Sequence, residues 1–257
     1  MSPFRISLLC TLAAALASGA SAEDLTITYK VTQDDKPAST KTTWVSNDHI
    51  RSQSPDGNEF MMDYSTGNLT FVDGKKKEFW VATRQDMEAM AAQMQKMQAQ
   101  MQEQMKNLPP AVRDKMAAQM GGLGGGIAPA VDVQKGTGGR TVAGYACENW
   151  LVTVGQLAKN EECVTTQLQF PIAAYDAMKN MSAMNPAMKS MGQMFEKFKE
   201  MKGVPVYSRQ TIQIMGRSQT SVSEVTEVKK GAIPASAWQL PADYKKVESP
   251  MAKMGKR

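Results

Sequence analysis

Hydrophobic and polar residues alternate along the chain from Leu25 to Thr32, which is the period of a half-buried strand. Short segments of the same kind follow, each closed by a turn signal such as Pro55-Asp56-Gly57-Asn58 or Asp73-Gly74. This spacing predicts an antiparallel meander of about six strands. The predicted strands are residues 25–32, 39–46, 49–53, 59–64, 69–72 and 77–83.

The pattern changes to a helical period after Thr83. Thr83, with Asp86 three residues later, is typical of a helix start. Methionines then recur at steps of three and four, which places them on one face: Met87, Met90, Met94, Met97 and Met101. We predict a helical insertion over residues 84–120, with a long first helix and a short second one, and then a glycine-rich loop over 121–139.

The second half of the chain returns to strands, predicted at 140–154 and 161–170. A third helix is predicted over 172–201, where Met181, Met184, Met188 and Met191 continue the methionine spacing, and a hairpin over 205–230. This order predicts an α+β fold: one curved antiparallel sheet with methionine-rich amphipathic helices packed over one face. We expect a single domain over residues 23–247 and a disordered basic tail over 248–257.

Residues 1–22 have the features of a cleaved secretory signal peptide. Arg5 precedes an apolar stretch that is too short to span a bilayer. Ala20-Ser21-Ala22 has small residues at both recognition positions, so cleavage is expected before Glu23. We therefore expect a protein that is exported to the periplasm and has no transmembrane segment after cleavage.

Charge and composition exclude several classes of function. The formal net charge of +5 falls to +4 when Arg5 is removed, and this mild excess does not indicate a nucleic-acid partner. The one histidine, His49, excludes multi-histidine metal sites. The sequence has no nucleophile elbow, zinc-peptidase, phosphate-loop or C-x-x-C motif. We expect a non-enzymatic protein with no cofactor and no metal.

Two cysteines remain after cleavage, Cys147 and Cys163, and in an oxidising compartment they most simply form one disulfide. By strand periodicity both lie on the odd-numbered, more polar face of neighbouring strands. They can bond if the connection is centred near Gly155, whereas a tight turn at Lys159-Asn160 would hold them apart. We predict the disulfide.

The methionines on the two helices have three interpretations. They serve as adaptable core filler, or they hold a lipid or other apolar ligand, or their thioethers bind Cu(I), which is disfavoured because these segments contain no histidine or cysteine. The ligand-binding interpretation assigns eight residues: Met90, Met94, Met97, Met101, Met181, Met184, Met188 and Met191. A helix of about 34 Å would overhang strands of about 23 Å. Met94, Met97 and Met101 should therefore be more exposed than Met87 and Met90.

Several segments resemble a family of exported bacterial proteins known as domain of unknown function 4412. The segments are Asp63–Leu69, Lys75–Trp80, Thr141–Cys147, Gly216–Ser218 and Ile233–Trp238. Their order and spacing are similar to those of the lipoprotein carrier LolA and its receptor LolB. The resemblance implies a half-open antiparallel barrel whose concave face is covered by helices and holds acyl chains. It makes Arg51 the candidate for the arginine that lipid carriers place on an early strand.

Two functional hypotheses follow from the sequence. The first is a periplasmic protein that binds or carries a lipid or other apolar ligand. The alternative is an envelope structural or stress-related protein whose methionine-rich helices dock on a protein partner.

Overall fold

One large sheet dominates the computed structural model, which describes residues 23–249 apart from residues 35, 107–129, 184–195, 198 and 215–216. The sheet strands are β1 (Leu25–Gln33), β2 (Ser39–Val45), β3 (His49–Gln53), β4 (Glu59–Asp63), β5 (Leu69–Asp73), β6 (Glu78–Ala82), β7 (Val131–Val142), β8 (Tyr145–Val154), β9 (Ala158–Thr165), β10 (Val204–Ile214), β11 (Arg217–Lys230) and β12 (Lys245–Lys246). The described helices are α1 (Arg84–Lys106), α2 (Ile172–Ala183) and a short 3-10 helix, Ala235–Trp238.

The sheet consists of two meanders. They are joined by the pairing of β1 with β11, which is called the seam below. Its strand order is β12-β6-β5-β4-β3-β2-β1-β11-β10-β9-β8-β7, and every neighbouring pair is antiparallel except β12 with β6. The predicted six-strand meander is confirmed as β1 to β6. A second meander runs from β7 to β11, and β1 pairs with β11 from Leu25 opposite Lys230 to Gln33 opposite Ser221. The end strand β7 also comes close to β11 across three intervening strands, so the sheet is curved.

The start of α1 is held by the cap that the sequence predicts. The Asp86 carboxylate accepts hydrogen bonds from the Thr83 backbone N–H at 2.9 Å and from the Thr83 hydroxyl at 2.8 Å. The first turns of α1 and the face of α2 pack over the first meander in one core cluster, whose buried members are Met62, Leu69, Ala82, Met87 and Ala177.

The predicted glycine-rich loop is wrong over residues 131–139, which belong to β7. Glycine serves a packing purpose there, because a Cβ on Gly139 would lie 2.2 Å from the Cys147 carbonyl oxygen on β8. The predicted strand at 140–154 is split by a turn at Ala143-Gly144, where both residues have positive φ. Residues 107–129, with the predicted second helix, residues 184–195 of the third, and 250–257 of the predicted tail lie outside the described part of the chain.

The predicted disulfide between Cys147 and Cys163 is present, with a Cα–Cα distance of 5.3 Å. The β8–β9 connection turns at residues 155–157, since Val154 pairs with Ala158, which agrees with the predicted centre near Gly155. The prediction of a polar face is wrong: the two cysteines are 6% and 0% exposed. That face is buried because it packs into the main core cluster with residues from β1, β2 and β10.

Candidate functional site

The methionines predicted to bind a ligand are only partly visible in the structure. Met87 is 7% exposed and Met90 is half-buried, whereas Met97 is 59% exposed. The exposure of Met97 therefore agrees with the prediction that α1 extends beyond the sheet. Every described side chain between residues 92 and 104 is also exposed. For Met94, Met101 and Met181 the structure describes the helical backbone but not the side chain. Met184, Met188 and Met191 lie outside the described residues.

A cavity of about 290 Å³ lies where the ends of β9 and β10 meet the first turns of α2. Its apolar wall is made by Phe170, Ile172 and Tyr175, and two lysines, Lys199 and Lys202, stand at its rim. The volume lies just below the range of small-molecule pockets, which is about 300–1,000 Å³. The site thus combines an apolar interior with a cationic edge.

The apolar wall is positioned by the way α2 packs. Ala174 and Ala177, three residues apart, are buried beneath the helix. This orientation leaves Ile172 at the helix start 66% exposed beside the cavity. The rings of Phe170 and Tyr175 meet edge to face, with centroids 6.4 Å apart.

The far wall is fixed by a close approach of β10 to β9. A Cβ on Gly203 would lie 2.3 Å from the Thr165 carbonyl oxygen, so only glycine fits there. The Tyr175 hydroxyl donates a hydrogen bond to the Gly203 carbonyl at 3.4 Å. Burial raises the pKa of Tyr175 to about 12.

Arg51 was the candidate for the lipid-contacting arginine, but its buried side chain connects parts of the protein with one another. Its guanidinium forms an ion pair with Glu59, and the two side chains are 7% and 5% exposed. It also donates to the carbonyls of Ala237 and Gln239, which fastens the 3-10 helix to β3. All of these partners belong to the protein itself.

No grouping of three or more His, Cys, Asp or Glu side chains that could hold a metal occurs within the described ranges. The sequence's only histidine, His49, has its ring tilted by 35° against that of Trp238, with 5.4 Å between ring centroids, and lies 3.7 Å from the Asp63 carboxylate. None of the helices in the described part of the chain is long and apolar enough to cross a membrane.

The cavity residues were not predicted from the sequence, whose predicted ligand-binding residues are all methionines. A usable signal is present in Phe170-Pro171-Ile172, where a proline directly precedes the helix start and a large apolar residue lies on each side of it. No local sequence signal predicts that Lys199 and Lys202 lie at the cavity, because the pairing of β9 with β10 brings them there.

The comparison with protein families supports the resemblance found in the sequence. Residues 128–244 match the model of a domain of unknown function, DUF4412, which confirms that likeness for this part of the chain. No curated protein sequence matches the chain.

The solved structures that match the chain are distant from it. PNGF-II is 10% identical with a TM-score of 0.44, and the match covers 92% of this chain and 33% of that one. The MucA/MucB complex of Pseudomonas aeruginosa gives 16% identity and a TM-score of 0.41, covering 86% of this chain and 56% of that one. A LolA superfamily protein from Nitrosomonas europaea gives 6% and 0.30, covering 86% and 91%. The chain thus spans about a third and just over half of the first two.

Proposed function

We propose that this chain is an exported, non-enzymatic protein that binds an apolar ligand in the cavity at the start of α2. The observation that carries the proposal is the exposure of Ile172, which is 66% accessible beside a cavity of about 290 Å³. A large apolar side chain gains free energy when a ligand removes it from water. The predicted signal peptide and the disulfide agree with an oxidising compartment outside the cytoplasm.

Replacing Ile172 with Gln is expected to weaken the uptake of an uncharged fluorescent naphthylamine probe about tenfold, because roughly 1.4 kcal/mol of apolar burial on binding is lost. The free energy of unfolding should change little, since the side chain is largely exposed in the free protein. The measurement is a fluorescence titration of the full chain. Its control is Ala173→Gln, at an exposed neighbouring position that does not line the cavity. Equal probe affinity in the wild type and the Ile172 variant would refute binding at this cavity.

A second candidate function rests on the far half of α1. In this alternative the helix docks on an envelope protein through Met97, whose adaptable side chain is 59% exposed.

Native mass spectrometry of protein purified from the periplasm separates the two functions. We expect a co-purifying apolar molecule whose occupancy falls in the Ile172→Gln variant and is unchanged in Met97→Gln. A stoichiometric protein partner that is lost in Met97→Gln would favour docking instead.

A further inference from the structure

Lys202 has a backbone conformation that glycine normally adopts. It directly follows the helical residues 199–201, and its φ is +50°. Helices commonly end in this left-handed conformation, but the residue there is usually glycine because a Cβ makes the conformation unfavourable. Non-glycine residues held in such conformations cluster at ligand sites. A lysine here suggests that its side chain has a role that glycine could not fulfil.

The Lys202 ammonium also differs from its neighbours in its ion pairs. Lys197 is bonded to Glu200 and Lys199 to Asp176, each across an exposed pair. Lys202 has no carboxylate partner among the described residues, although it lines the cavity. The hydrogen bond from Tyr175 to the Gly203 carbonyl fixes the backbone immediately after it. The cavity rim therefore presents one unneutralised cation and one that is shared with Asp176.

We propose that Lys202, assisted by Lys199, binds the acid group of an amphiphile whose apolar chain lies against Phe170, Ile172 and Tyr175. The ligand class is an acyl chain that carries a terminal carboxylate. The charge of the rim complements the acid, and the apolar wall complements the chain. This inference rests on the proposed function, because it names the ligand of the same cavity.

The test compares cis-parinaric acid with its uncharged methyl ester in fluorescence titrations of the full chain. The acid should bind about tenfold more tightly than the ester, as expected for one charge-assisted hydrogen bond. Lys202→Asn should remove this preference without weakening ester binding, because asparagine tolerates the left-handed conformation. Lys202→Arg should keep the preference. Lys197→Gln, at a neighbouring lysine outside the cavity, should leave both affinities unchanged.

The outcomes separate this inference from the proposed function. Equal binding of acid and ester in the wild type, or an unchanged preference in Lys202→Asn, would overturn the assignment of the acid group while ligand binding in the cavity stands. If neither acyl probe binds but the naphthylamine probe does, this inference is overturned and the proposed function stands. If none of the three probes binds, both proposals are overturned. Inorganic phosphate serves as a competitor: displacement of the acid by phosphate alone at equal concentration would show a free-anion site and overturn the role of the acyl chain.

Discussion

Arg51→Met is expected to lower the free energy of unfolding by about 4 kcal/mol, because it leaves the buried Glu59 carboxylate without its countercharge. The loss also removes the hydrogen bonds that this guanidinium donates to the carbonyls of Ala237 and Gln239. The measurement is urea unfolding at neutral pH, followed by Trp fluorescence and by circular dichroism.

Two further variants make this prediction specific. The double variant Arg51→Met with Glu59→Leu should recover much of the loss, because an apolar pair of similar volume replaces the buried charges. Lys77→Met is the matched control, since Lys77 pairs with Asp243 and also fastens the C-terminal segment, but with side chains 62% and 58% exposed. Its cost should stay below about 1 kcal/mol. If Arg51→Met costs no more than this control, the buried pair does not stabilise the fold.

Glu162 is expected to make the protein less stable as the pH rises from about 4.5 to 7. The residue is 8% exposed on β9, one carboxylate oxygen accepts a hydrogen bond from the Ser208 hydroxyl at 3.0 Å, and the other is buried without a partner in the described structure. Burial raises its pKa from the ordinary 4.5 to about 7. The buried Tyr29 hydroxyl is its titratable neighbour, and burial together with the charge of Glu162 raises the Tyr29 pKa.

The sign follows from proton binding. Between pH 4.5 and 7 the folded state holds a proton on Glu162 that the unfolded state has lost, so stability falls with rising pH, by about 3 kcal/mol in total. Glu162→Gln should abolish this fall, and the difference from wild type in urea unfolding should grow across that range and level off above pH 7. Glu161→Gln is the control: a hydrogen bond from Lys159 lowers the Glu161 pKa, so its effect has the opposite sign. A flat difference between wild type and Glu162→Gln would contradict the prediction.

The first meander was predictable because each of its strands is closed by local turn chemistry. The Asp73 carboxylate, for example, accepts a hydrogen bond from the Lys76 N–H at 3.0 Å, in the turn that the Asp73-Gly74 signal predicted. The disulfide was also predictable, because strand register depends on the position of one turn.

Strand β7 could not be recognised from composition, because Gly136, Gly138 and Gly139 are rare in strands and read as a loop. This segment forms a strand because it approaches β8 closely, which is a tertiary contact. The cavity depends in the same way on two segments separated by about 30 residues and joined by the bond from Tyr175 to Gly203. Local patterns carry no information about such contacts.

The seam between β1 and β11 has a consequence for how the protein is synthesised and folded. Hairpin partners such as Val154 and Ala158 are four positions apart, whereas Gln33 and Ser221, the nearest pair across the seam, are 188 apart. Closing the longer loop costs about 3 kcal/mol more in chain entropy. During synthesis the outer edge of β1 must stay unpaired until residues 217–230 have emerged. An open strand edge invites pairing with other chains. The nascent chain is thus most exposed to aggregation while its first meander is complete and its last long strand is still being made.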